Sequence, residues 1–187
     1  GSLLVAPFGS VERRFSTAPF SAGFPVPGAD PIILDFATSA VAEGKVLVAS
    51  RGGKPLPEGA LIEPDGQLSA DPATLFGPLE GVERDNQRGA GAIRAFGEHK
   101  GSGLALICEL LAGAFTGSGT AGPGQRRICN GMLSIYVMPE AFGTENALAA
   151  EARTYLDFFK SAKPMPGAEV LLPGEPERRM RAERLAE

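Results

Sequence analysis

Between Gly101 and Thr116 the chain runs GSGLALICELLAGAFT, with Glu109 as its only charge. Leu104, Leu106, Ile107, Leu110, Leu111 and Phe115 fall at helical spacing, and Ala105, Cys108, Ala112 and Ala114 fill the positions between them. A helix that is apolar all round belongs in a core, so the fold must supply cover on every side of it. With 187 residues, 43% of them hydrophobic, the chain can build one good-sized core, or a core with an appendage.

Charge narrows the partners. Net charge is -4 and no basic run precedes the extreme C-terminus, so the footprint of a nucleic-acid binder is missing. No segment reaches the ~18 uninterrupted apolar residues of a membrane span, and no charged region followed by an apolar segment opens the chain. The reading is a cytoplasmic globular protein with neither nucleic acid nor membrane as a partner. Cys108 and Cys129 have no nearby C-x-x-C or histidine, and read as buried free thiols. One histidine and two separated cysteines give no metal-ligand set.

The 25 glycines and 16 prolines punctuate apolar segments and make the fold rich in turns. RRFSTAPFSAGFPVPGADP, residues 13–31, is too proline-rich for a helix and reads as extended backbone placed by packing or by a ligand. IILDF, residues 32–36, is β-branched and short, a buried strand. Thr38 or Ser39 can cap the next helix, which ends at Gly52 and Gly53. A brief strand and an Asp65-Gly66 turn follow, then a helical turn opened by Asp71 or Pro72. Residues 77–97 have no period and read as an exposed loop. After the apolar helix, NGMLSIYVM at 130–138 reads as a strand, and TENALAAEARTYLDFFKSAK as an amphipathic helix capped by Thr144. AEVLLPGEPE supplies a last strand and a turn before a charged helical tail. Strands and helices mix without βαβ alternation, and no G-x-G-x-x-G follows a strand, so a Rossmann domain is excluded.

Three places can carry chemistry. His99, Lys100 and Gly101 open the apolar helix, where unpaired N–H groups, a cation and a glycine suit a phosphate or carboxylate; the alternative is a solvated cap. Asp35 in its apolar strand is either a cap for the following helix or a relay aspartate that orients a histidine. In PGEPE, Glu175 beside exposed amides either holds ribose hydroxyls or decorates a turn. The pairs Arg13/Arg14, Arg126/Arg127 and Arg178/Arg179 read as solvated charge before phosphate clamps.

Taken in order, ILDFATSAVAEGKV, LPEGALIEPDGQLSADP, HKGSGLALICELLAGAFTGSG, NGMLSIYVMPEAF and EVLLPGEPE resemble the malate/L-lactate dehydrogenase family, which includes sulfolactate and ureidoglycolate dehydrogenases and cyclic-imine reductases. The resemblance implies an α+β fold: a mixed, largely antiparallel sheet flanked by helices, forming a non-Rossmann dinucleotide-binding domain. It implies NAD or NADP as cofactor and hydride transfer to or from a 2-oxo acid or cyclic imine, in a homodimer. It assigns a relay role to Asp35 and cofactor contacts to Thr17, Pro25, Val26, His99, Lys100, Gly101, Pro173, Gly174 and Glu175. The chain looks like the family's second half, with a cofactor domain at 3–140 and a C-terminal helix, strand and tail at 141–187. The catalytic histidine of the N-terminal half has no counterpart in it, so a complementing N-terminal half is an expected partner; the alternative is an inactive dinucleotide-binding or dimerisation module. STAP stands where the family usually has GTNP, which places Ala18 at an asparagine position.

Overall fold

A computed structural model of the chain describes residues 2–78, 85, 87–122 and 130–187. The chain divides into two compact units: residues 1–20 with 37–133, and residues 21–36 with 134–187.

The first unit is organised by a four-stranded sheet of order β1-β6-β4-β5, with β1 Val5–Ala6, β4 Leu61–Ile62, β5 Leu68–Ser69 and β6 Ala92–Arg94. β1 pairs parallel to β6, and β4 pairs antiparallel to both β6 and β5. The sheet is thus mixed and largely antiparallel, as the family resemblance implied. The register sets Ile93 opposite Val5 on one side and Leu61 on the other. All three side chains are fully buried, and Leu4, Phe15, Val41, Val46, Leu75, Phe76 and Ala105 close around them. β6 corrects the reading of residues 77–97 as an exposed loop: three residues after a glycine are too few to show a period, and tertiary pairing makes them a strand.

Helix α1 spans Glu43–Ser50, starting later than the Thr38 or Ser39 cap expected. Thr38 donates instead to the Thr17 carbonyl oxygen at 3.1 Å, and Ser39 to Val41 O at 2.7 Å. The Asp65-Gly66 turn joins β4 to β5, with Asp65 Oδ1 accepting the Gln67 N–H at 2.9 Å. Asp71 Oδ1 accepts the Ala73 N–H at 2.8 Å where α2, Ala73–Phe76, begins.

Helix α3, His99–Glu109, continues as a π-helical turn over Leu110–Phe115. Gly101 and Ala105 are its buried residues, while Leu106, Ile107, Leu110 and Leu111 are 42–50% exposed and Phe115 76%. This corrects the expectation of a helix covered on all sides: one side packs on the sheet, and the other meets no covering element among the described residues.

β2, Pro19–Phe24, lies inside the proline-rich segment and pairs with β3, Ile32–Ala37, the two strands running into the second unit from residue 21 to residue 36. Residues Ile33 to Asp35 are exposed rather than buried, because the two-stranded ribbon lines an open cleft instead of a closed core. Helix α4, Glu145–Lys160, is amphipathic, and α5 spans Glu175–Ala186. Residues 130–138 and 168–172 form no strand and pair with none among the described residues, so the two strands read there are corrected to irregular segments. Among the described residues no helix is long and apolar enough to cross a membrane. Cys108 is a free, half-buried thiol whose pKa burial raises; Cys129 and the pair Arg126/Arg127 lie outside the described residues.

Candidate functional site

The second unit contains a cleft of about 780 Å³. Ile33, Leu34, Phe159, Leu171 and Leu172 supply its apolar surface, and Asp35, Arg178 and Arg181 stand among its polar residues. The turn Pro173-Gly174 forms a wall beside β3, with Gly174 against the backbone of Ile33. Three residues singled out from sequence, Asp35, Pro173 and Gly174, therefore meet on one cleft although 138 positions separate the first two (173 less 35).

Local chemistry explains the wall. Gly174 takes φ +89°, a left-handed conformation that an L side chain adopts at a cost, and it precedes the first turn of α5. Glu175, next along, turns its carboxylate away from solvent: Oε2 accepts from Lys160 Nζ at 2.7 Å and from the Leu172 N–H at 2.8 Å. The Lys160 ammonium and the Leu172 amide hold the Glu175 carboxyl below its ordinary range. Arg178 reaches Asp30 at 3.5 Å and donates to Pro31 O at 3.3 Å, which fastens α5 to the start of β3. Arg179 pairs with both Glu169 oxygens at 2.6 Å, lowering the glutamate pKa and raising its own. Arg181 lines the cleft with no ion-pair partner among the described residues, and neither it nor Lys160 stood out in the sequence. Their only signal is position, in the last turn of α4 and in the second turn of α5.

Pro25 and Val26 lie in the same unit, in the loop between β2 and β3, and do not line this cleft. Asp35 does not cap α1, whose first residue is preceded by Ala42. Thr17, His99, Lys100 and Gly101 belong to the first unit. His99 and Lys100 are the exposed first residues of α3, and the His99 ring meets Phe8 edge to face at 5.9 Å between centroids. The Phe8 N–H donates to Ser102 Oγ at 3.0 Å, tying the loop after β1 to the same helix turn. Gly101 is buried, and a side-chain carbon there would overlap the Phe96 carbonyl oxygen. Glu98, just before the helix, sits at φ 60°, ψ -118°, a strained conformation for glutamate that no local pattern announces. Arg13 donates to Gly91 O and Gly89 O at 2.6 Å, and burial lowers its pKa: a packing role the sequence reading did not give it. Among the described residues no three of His, Cys, Asp and Glu group as a metal site.

The family model for malate/L-lactate dehydrogenase matches residues 2–187. Hydroxycarboxylate dehydrogenase B of Escherichia coli is 35% identical over 189 aligned positions, covering 98% of this chain and 49% of that protein. Delta(1)-pyrroline-2-carboxylate reductase of Ancylobacter novellus is 37% identical, with 94% of this chain and 49% of the relative covered. The solved structure of sulfolactate dehydrogenase from Methanocaldococcus jannaschii superposes with a TM-score of 0.77 at 34% identity, over 98% of this chain and 51% of that one. The chain spans about half the length of the curated relatives it matches. Family match, sequence identity and superposition agree: the chain belongs to the malate/L-lactate dehydrogenase family.

Proposed function

We propose that this chain forms the dinucleotide-holding part of an NAD- or NADP-dependent oxidoreductase that moves hydride between nicotinamide and a 2-oxo acid or cyclic 2-imino acid. The observation that carries this reading is the convergence of Asp35, Pro173 and Gly174 on one cleft with an apolar interior and an arginine edge. A dinucleotide needs such a mixture, with flat apolar surface for its rings and polar groups for ribose and phosphate. Gly174 lets the turn pack against the Ile33 backbone and so shapes the wall, and Arg181 offers an uncommitted cation for the anionic part of the dinucleotide. When bound, the nicotinamide supplies or accepts the hydride. Thr17, Pro25, Val26, His99, Lys100 and Gly101 are carried as further cofactor contacts by the family pattern alone.

Asp35 is the carboxylate we assign to the reaction, as an acceptor that orients a proton-carrying group. A general acid beside the reacting oxygen is worth roughly 10²- to 10⁴-fold. In this reading that acid is a histidine from the half of the family fold which this chain does not match. The same half covers the apolar face of α3 and its π-helical turn, where Leu106, Ile107, Leu110, Leu111 and Phe115 are open to solvent. An unpartnered face of this kind marks an interaction surface.

Fluorescence titration with NADH and NADPH tests the cofactor reading: saturable binding is expected, and none at millimolar cofactor leaves only an interaction module. Combining the chain with the other half of the family fold should give NAD(P)H oxidation with a 2-oxo acid or cyclic imine. In that assembly Asp35→Asn should lower kcat about 10²-fold or more while leaving cofactor affinity in place; full activity would remove Asp35 from the reaction.

A further inference from the structure

The segment 168–172 that leads into the cleft wall belongs to no strand among the described residues, so no ladder fixes its backbone. Its order comes from side chains. Lys160, the last residue of α4, donates from Nζ to Val170 O at 2.8 Å and to Glu175 Oε2 at 2.7 Å. The same Oε2 accepts the Leu172 N–H at 2.8 Å, and the Glu175 N–H returns to Leu172 O at 3.1 Å. One ammonium thus grips both ends of residues 170–175, and one carboxylate oxygen closes the loop from inside. The cleft residues Leu171, Leu172, Pro173 and Gly174 lie between those anchors. The pair is sheltered, with side chains 34% and 20% exposed, which makes it worth more than a solvated surface pair.

We propose that Lys160 is a positioning residue: by holding Val170 and Glu175 together it fixes the 170–175 turn as the cleft wall and so sets how tightly the cleft takes its ligand. Glu175 then serves the site through the turn, its carboxylate being committed to Lys160 and Leu172 instead of to ribose hydroxyls. The consequence for ligand affinity rests on the dinucleotide reading above; the latch itself does not.

The test compares the wild-type chain with Lys160→Met, which keeps the aliphatic stem, and Lys160→Arg, which keeps the charge and donors. Backbone amide exchange is measured at Leu172 and Glu175, with Ile93 in the first unit as a control for global folding, and NADH affinity is titrated on the same samples. Lys160→Met should speed exchange at Leu172 and Glu175 about tenfold, weaken NADH binding by a similar factor and leave Ile93 unchanged, with Lys160→Arg close to wild type. Unchanged exchange in Lys160→Met overturns the latch. Faster exchange with unchanged NADH affinity makes the contact merely stabilising and overturns its positioning role. If wild type takes up neither NADH nor NADPH, the dinucleotide reading falls instead, and the exchange data alone decide whether the latch holds the wall.

Discussion

Gly174 packs against the backbone of Ile33 so closely that a side-chain carbon on the glycine would stand 3.4 Å from the Ile33 carbonyl oxygen and 2.9 Å from Nη1 of Arg178. The space is tight but the Arg178 end can move, so the larger cost of adding a methyl is conformational, at φ +89°. Gly174→Ala should destabilise the chain by about 1–2 kcal/mol. The displaced Arg178 would also loosen its hold on Asp30 and Pro31 at the edge of the cleft. A fall of several degrees in Tm, together with weaker NADH binding, is the expected result in thermal melts and titration.

How much of this was legible in sequence depends on how local each cause is. The Asp65-Gly66 hairpin, the Asp71 turn and helices α3, α4 and α5 follow from residue spacing within a few positions, although Thr144 makes no side-chain cap to α4 and its hydroxyl donates to Pro139 O. β6 was missed because its strand character comes from Val5 and Leu61, 88 and 32 positions away from Ile93. Residues 130–138 and 168–172 carry the apolar runs of strands, yet a strand needs a partner, and among the described residues none pairs with them. In the site, Asp35 and Pro173-Gly174 stood out as a charge in an apolar run and a tight turn. That they share a cleft is a property of the fold.

Gly101 in the sequence His99-Lys100-Gly101 offers room for a ligand, and packing gives it an independent reason. Its N–H donates to Phe96 O at 3.0 Å, and an added side-chain carbon would overlap that oxygen and lie 2.8 Å from Phe96 Cδ1. The clash is with backbone, which cannot swing aside. Gly101→Ala should cost about 1–3 kcal/mol or more and lower Tm before any ligand is added. An unchanged melt with weakened NADH binding would instead make Gly101 a ligand contact first.

Glu98 offers the opposite case. Its conformation at φ 60°, ψ -118° costs a non-glycine residue about 1–3 kcal/mol. Replacing it with glycine gives back about 0.5–1 kcal/mol in chain entropy. The exposed pair with Arg94 is worth a further few tenths. The balance favours the substitution, because Arg94 keeps its 2.7 Å bond to Gly59 O. Glu98→Gly should raise Tm by about 1–3 °C. A drop in Tm would show that the glutamate side chain holds the start of α3 more strongly than its geometry strains it.

The two perturbed carboxylates of the second unit set a pH dependence of known sign. Glu169 is held below its ordinary pKa by Arg179, and Glu175 by Lys160 and the Leu172 amide. The unfolded chain therefore takes up protons on these groups at a higher pH than the folded one does. Their contribution is fully present above the ordinary glutamate pKa, near 4.5, and is lost as pH falls through the depressed folded values. The double variant Glu169→Gln/Glu175→Gln should melt below wild type at about pH 6 and converge with it at about pH 3. Added salt should narrow the gap at the higher pH mainly through the exposed Glu169–Arg179 pair, whose side chains are 55% and 52% exposed. A gap of constant size from pH 6 to pH 3 would mean that the glutamates act through hydrogen bonds that the protonated carboxyl keeps and the amide does not reproduce, and that the charge pairs contribute nothing to the stability of the cleft wall.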